Sequence, residues 1–236
     1  MLYKKKILVI VPARGGSKGI KLKNIRPLNG IPLVALVGEV VKQLDYVDRA
    51  IVSTDHLEIA RIAQEAGLDV PFMRPDELSG DRVPDWPVLH HALNATEEKY
   101  NETYDIIVML PPTSPLRKPE HITMTVEKLI DGNYDAVWTL SETDSKYHPY
   151  KQLTLEDGLV GYYDDRGAQI TARQLLFPTY YRNGVAYAIS RNCLLNSKSI
   201  KGHKTSAIII DDPMVNIDTE FDFMLAEILI EKEKAN

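Results

Sequence analysis

The sequence predicts a three-layer α/β fold built on a mainly parallel sheet, and three observations lead there. Short runs rich in apolar and β-branched residues recur along the chain, stretches with a helical period separate the first of them, and several runs are apolar without alternation. Continuous apolar strands are those buried on both faces, which is the environment of a parallel sheet covered by helices on each side. With 236 residues and 44% hydrophobic content the chain can bury one substantial core. It reads as one domain over 1–236, interrupted by an inserted arm at about 141–182.

The strand runs are "ILVIV" (7–11), "RAIVSTD" (49–55), "YDIIVML" (104–110), "YDAVWTL" (134–140), "GVAYAIS" (184–190) and "SAIIID" (206–211). In "LEIARIAQEAG", Leu57, Ile59, Ala60, Ile62, Ala63 and Ala66 share one helical face while Glu58, Arg61 and Gln64 take the other. Gly67 is placed to cap that helix at its C-terminus. "PVLHHALNATEEKY" and "PEHITMTVEKLIDG" repeat the pattern, each opening on a proline that a first helical turn tolerates. Between Ser141 and Arg182 the alternation stops. Turn signals, tyrosines and alternating charges replace it, with no crossover helix, and the segment reads as a β-hairpin or arm leaving the sheet. "TEFDFMLAEILIEKEK" is an amphipathic closing helix, with Thr219 and Asp222 spaced as a capping box.

Charge and composition exclude several functions. Lys plus Arg is 28 and Asp plus Glu is 33, so 28 − 33 gives a net charge of −5. That balance argues against general attraction to nucleic acid or an anionic membrane, so any anion must meet a local basic cluster. The single cysteine, Cys193, allows no intramolecular disulfide and fits a reducing compartment. Lysines precede an apolar run at the N-terminus, but Ile7 to Val11 is shorter than the roughly 7 to 15 residues of a signal-peptide core. No window reaches the ~18 apolar residues of a membrane span, and the expected location is the cytoplasm.

Four strand ends carry the chemistry. After the first comes "ARGGSKGIKLKN", where glycines admit close approach of backbone N–H groups to a phosphate, Ser17 adds a donor, and Arg14, Lys18, Lys21 and Lys23 add positive charge. It is neither a Walker A loop nor G-x-G-x-x-G; its place after the first strand of an α/β sheet favours a phosphate cradle over a solvated turn. In "PPTSPLR" three prolines stiffen a loop that offers Thr113, Ser114 and Arg117, and a rigid connector and a ligand-binding loop fit equally. Asp55 of "VSTD" reads as the N-cap of the next helix. Asp218 of "NIDTEFDF", placed after a strand and before a helix, fits either a cap or a ligand for Mg²⁺ beside a polyphosphate.

Taken in order, "ARGGSKGIKLKN", "IVSTD", "VPFMRP", "PTSPLR", "HPYK", "RQ" before "NG", and "IDTEFDF" resemble the CMP-sialic acid synthetases, the N-acylneuraminate cytidylyltransferases, over roughly residues 6 to 230. The resemblance implies a Rossmann-like nucleotidyltransferase fold with a dimerisation arm. It implies transfer of CMP from CTP to the anomeric hydroxyl of a nonulosonic acid, with release of pyrophosphate, a requirement for Mg²⁺, and a homodimer. Carried over by residue, Arg14, Gly15, Gly16, Ser17, Lys18 and Lys23 hold the triphosphate and Asn24 with Arg74 meets the cytidine. Thr113, Ser114, Arg117, Lys151, Arg173 and Tyr187 lie near the sugar, Asn216 and Asp218 at the metal, and Arg14, Lys18 and Asp218 carry the catalysis.

The chain departs from the family pattern at two positions. Pro111 stands where the family has a sugar-contacting glutamine, and Asn216 stands where it has the first aspartate of Asp-Ile-Asp. A carboxamide keeps an oxygen ligand and removes a negative charge, which weakens Mg²⁺ binding. Two alternatives therefore accompany the main reading: transfer to another keto sugar acid of the octulosonate type, and a degenerate nucleotide-binding homologue without turnover.

Overall fold

The computed structural model describes residues 2–234. Its centre is a six-stranded sheet formed by β1 (Ile7–Pro12), β4 (Arg49–Ser53), β5 (Ile106–Met109), β6 (Ala136–Glu142), β9 (Tyr180–Ser190) and β10 (Thr205–Ile209), in the spatial order β10-β6-β9-β5-β1-β4. Two short strands, β2 (Pro27–Leu28) and β3 (Ile31–Pro32), form a small hairpin after the glycine-rich loop. The β1/β4, β1/β5 and β6/β10 pairs are parallel.

All six strand runs read from the sequence lie in this sheet, and one runs against the rest. β9 is antiparallel to both β5 and β6. An antiparallel neighbour needs no crossover helix, which is why 141–182 contains no helical period. A register shift between Trp138 and Leu140 forms an irregularity where β6 meets β9. There Thr139 donates to Asn183 Oδ1 at 2.7 Å and accepts from the Ala186 N–H at 2.9 Å.

The two faces of the sheet follow from the two-residue period of β1. Ile7, Val9 and Val11 point to one side, where α1 (Leu33–Val41), α2 (Leu57–Glu65) and α4 (Pro119–Asp131) cover them. Leu8 and Ile10 point to the other, covered by α3 (Asp85–Tyr100) and α5 (Arg191–Asn196). Cys193 is buried in this second cluster. α1 was not singled out in the sequence, since its run Leu33–Val41 is apolar nearly all round. Gly67 takes φ +84° directly after α2, and Pro119 opens α4.

A third cluster positions the site. Ile20 from the glycine-rich loop packs with Val215, Ile217 and Phe223, joining that loop to α6 (Glu220–Lys234). Thr219 and Asp222 make the capping box, with Asp222 Oδ2 accepting from the Thr219 N–H at 2.8 Å and Thr219 Oγ1 accepting from the Asp222 N–H at 3.3 Å. The expectation that Asp218 follows a strand is corrected. β10 ends at Ile209, and 210–218 is irregular chain held by a bond from the Ile217 N–H to the Thr113 carbonyl at 2.8 Å. Val215 and Ile217 alternate inward into the third cluster, which imitates a strand pattern without a ladder.

The arm contains the expected hairpin, β7 (Leu153–Glu156) with β8 (Leu159–Tyr162), in a sheet of its own. Asp157 and Gly158 both have positive φ, 51° and 80°, as a two-residue hairpin turn requires. His148 is buried at the base, accepting from the Tyr150 N–H, with its ring edge-on to Phe177 and Tyr150.

Candidate active site

The carboxyl ends of β1 and β5, with Arg74 held on the end of β4, surround a cleft of about 490 Å³, the position where open α/β sheets bind ligands. Arg14, Ser17, Lys18, Lys23, Asn24 and Arg74 line it, with Thr113 and Asp218. Of the nucleotide-binding residues expected from the sequence, only Gly15 and Gly16 stand back from its lining. Gly15 lies against the His56 ring and Gly16 in open space.

The loop is held in shape by polar contacts on both sides. Asn24 is buried and donates from Nδ2 to the Arg14 carbonyl at 2.9 Å, while Leu22 sits in the left-handed region at φ 51°. A Cβ on Gly19 would collide with the Asp218 carbonyl oxygen, so only glycine allows the loop this close to the segment before α6. Lys23 seals the same junction, donating to the Ile217 carbonyl at 2.5 Å and to Asp218 Oδ1 at 2.8 Å.

Asp55 is a correction. His56 caps α2, its Nδ1 accepting from the Glu58 N–H, and Asp55 Oδ1 instead accepts from the Gly15 N–H at 2.8 Å. The carboxylate thus braces the glycine-rich loop from the neighbouring strand end. Arg74 also belongs to that strand end: its guanidinium donates to Ser53 Oγ at 2.9 Å and to the Ser53 carbonyl, and its N–H donates to Thr54 O at 2.7 Å. Burial pushes its pKa down to about 10, with Asp55 opposing the shift.

Arg14 and Lys18 share a partner that sequence reasoning missed. Asp81 places Oδ1 2.7 Å from the Arg14 guanidinium and Oδ2 2.5 Å from the Lys18 ammonium. Lys18 first, then Arg14, hold its carboxyl below the usual range. Asp85, at the start of α3, also lines the cleft; burial pushes its carboxyl up and Arg182 opposes. The only signal for either aspartate was the turn-rich "SGDRVPD", which names no chemistry.

The residues expected near the sugar divide into three groups. Thr113 lines the cleft. Ser114 and Arg117 are buried behind it: Ser114 donates to the Asn183 carbonyl at 3.0 Å, and Arg117 donates to the carbonyls of Pro111 (2.6 Å), Gly184 (3.1 Å) and Val185. Arg117 is 5% exposed and burial pushes its pKa down to about 9. Gly184, at φ +76°, leaves no room for a side chain, since a Cβ there would lie 2.5 Å from Ser114 Oγ. Tyr187 is buried in β9, edge-on to Trp138, and burial raises its pKa. Lys151 and Arg173 are exposed on the arm and do not line the cleft.

Asp218 reaches the cleft, whereas Asn216 is exposed beside Gly184 and is not among the lining residues. Among the described residues no three His, Cys, Asp or Glu side chains cluster as a metal cage, and no helix is long and apolar enough to cross a membrane.

A family model described as Cytidylyltransferase matches residues 8–233. Post-translational flagellin modification protein B of Campylobacter coli is 33% identical over 97% of this chain and 96% of its own length. The CMP-N,N'-diacetyllegionaminic acid synthase of Campylobacter jejuni subsp. jejuni is 30% identical over 95% of this chain and 94% of its own. Among solved structures, a CMP:2-keto-3-deoxy-manno-octonic acid synthetase complexed with CTP superposes with a TM-score of 0.70, at 16% identity, over 97% of this chain and 99% of that one. At that identity the likeness establishes the mainly parallel nucleotidyltransferase-type α/β fold.

Proposed function

The chain belongs to the cytidylyltransferase family, and from that premise we propose that it transfers CMP from CTP to the anomeric hydroxyl of a nonulosonic acid such as neuraminate, legionaminate or pseudaminate, releasing pyrophosphate. The observation that carries this reading is the convergence of Arg14, Lys18 and Lys23 on one cleft opposite Asp218, in a chain whose net charge is −5. Relatives named as legionaminic, pseudaminic and neuraminic acid cytidylyl enzymes support the acceptor class.

The reaction forms a bond from the anomeric oxygen to the α-phosphorus and breaks the bond from that phosphorus to the leaving pyrophosphate. The chain must neutralise developing charge and hold the two reacting atoms in line. Arg14 and Lys18 serve the phosphates, Ser17 and the loop N–H groups add donors, and Lys23 fixes the loop against Asp218. Asn24 and Arg74 form the cytidine end, where Arg74 is already oriented by Ser53.

The donor chemistry fits Mg²⁺, which one or two carboxylates hold together with phosphate oxygens and water. Asp218, which lines the cleft, would supply the carboxylate, and Asn216, two residues before it and exposed beside Gly184, is the carboxamide the family pattern puts at the same site. When bound, the ion neutralises charge on the phosphates.

The acceptor carries a carboxylate beside its hydroxyl, which calls for a fixed cation. Lys151 and Arg173 are outside the cleft of their own chain, and in a homodimer joined through the arm they would face the neighbouring cleft. The exposed apolar surface of the arm, with Leu155 72% and Leu159 75% exposed, supports that assembly. The cytoplasm is the compartment where CTP and a free thiol at Cys193 are both maintained.

Purified protein with CTP, Mg²⁺ and a panel of nonulosonic acids is expected to release pyrophosphate with at least one of them. Product with 3-deoxy-manno-octulosonate alone would replace this acceptor class with the octulosonate type. CTP binding without product from any acceptor would leave a nucleotide-binding homologue.

A further inference from the structure

The two cations assigned to the triphosphate are already closed on an anion that belongs to the chain. Asp81 takes Arg14 with Oδ1 and Lys18 with Oδ2, at 2.7 and 2.5 Å. Two oxygens of one acidic group each engaging one cation is the pattern that two non-bridging oxygens of a phosphoryl group would make. The carboxylate comes from the opposite wall of the same cleft, from the turn between Ser79 and Pro84.

That turn is lightly held. Its backbone bonds are Ser79 N–H to Asp76 O at 3.0 Å and Val83 N–H to Gly80 O at 3.3 Å, both internal to the segment. A side chain added at Gly80 would touch only Val83. The Asp81 pairs are therefore its main polar attachment to the glycine-rich loop, and Lys18 is 80% exposed. The Lys18 pair is screened by solvent, and the Arg14 pair, at 30% and 32% exposure, less so; a ligand with several negative charges out-competes a single carboxylate for both cations.

We propose that Asp81 is an internal stand-in for a phosphoryl group: it holds Arg14 and Lys18 in their loaded arrangement in the empty cleft, is displaced by the incoming triphosphate, and returns to both cations as pyrophosphate leaves. This rests on the CTP reading above and adds to it an affinity-setting residue. Competition by Asp81 weakens binding of triphosphate and pyrophosphate alike, while a ligand lacking phosphate does not meet it.

The test is calorimetric titration of the full chain, with a chelator present, using CTP, inorganic tripolyphosphate and cytidine as probes. Asp81→Asn keeps the shape and removes the charge; it is expected to bind CTP and tripolyphosphate roughly five-fold more tightly, as loss of two such pairs implies. Cytidine should bind equally to both proteins, and Asp81→Glu should resemble the wild type. Equal or weaker polyphosphate binding by an Asp81→Asn protein that melts like the wild type overturns the proposal. Should that variant fold poorly, hydrogen exchange on the wild type decides: backbone amides at 79–83 are expected to exchange faster when tripolyphosphate is added, and unchanged or slower exchange overturns it. Wild type that binds tripolyphosphate without binding CTP would sink the cytidylyl reading, and tighter tripolyphosphate binding by Asp81→Asn would still uphold the displacement.

Discussion

Lys23 and Asp218 form an ion pair of 2.8 Å that closes the glycine-rich loop onto the segment before the last helix. The lysine side chain is 13% exposed and the aspartate 68%, so the cation is anchored inside the junction while the carboxylate keeps a free face toward the cleft. The second bond, to the Ile217 carbonyl, fixes the ammonium in place. Lys23→Gln removes hydrogen bonds to a charged group, worth about 1.5–3 kcal/mol. The expected result is a fall in kcat/KM for CTP of roughly ten- to a hundred-fold. Steady-state kinetics checks it, and a value within two-fold of wild type would reduce the pair to a loop tie.

The metal site should respond to charge at position 216. Asn216→Asp restores a second carboxylate, and the Mg²⁺ concentration giving half-maximal pyrophosphate release is expected to fall several-fold. Asp218→Asn should raise it and lower the maximal rate by about a hundred-fold or more. Magnesium titrations of both variants read the effect; an unchanged midpoint in Asn216→Asp would take that position out of the metal site.

Arg117 joins the proline-rich loop to β9 through the carbonyls of Pro111, Gly184 and Val185. Arg117→Met leaves these buried acceptors without a donor, a loss of about 2–4 kcal/mol. Urea unfolding should show the lower midpoint. Arg117→Lys is not expected to rescue it, because one ammonium cannot span acceptors that a planar fork reaches together.

The arm presents Leu155, Leu159 and Val160 to solvent at 72, 75 and 69% exposure. Leu155→Glu combined with Leu159→Glu should convert a dimer to a monomer in analytical ultracentrifugation and reduce acceptor turnover while CTP affinity holds. A wild type that sediments as a monomer at working concentration would remove the arm from assembly.

Much of the fold was legible because it depends on local pattern. Six apolar runs and their intervening helical periods are properties of neighbouring residues, and all six runs became strands of one sheet. The glycine-rich stretch likewise declared its chemistry through residue type. The misreadings share a cause. Asp55 has cap-like sequence neighbours, yet its oxygen accepts from Gly15 forty positions away. Val215 and Ile217 alternate before Asp218 as a strand would, yet they pack in one cluster with Ile20 from far earlier in the chain and join no ladder.

By itself the sequence determined the layers, an arm leaving the sheet at about 141–182, the cationic loop and the family. Only the tertiary structure decided that β9 runs antiparallel between β5 and β6, that Asp81 occupies Arg14 and Lys18, and that Lys23 reaches Asp218. Periodicity and residue chemistry are local and survive in a linear string. The pairing of an individual carboxylate with an individual cation depends on which loops the packed sheet brings within about 3 Å, and no linear pattern encodes that distance.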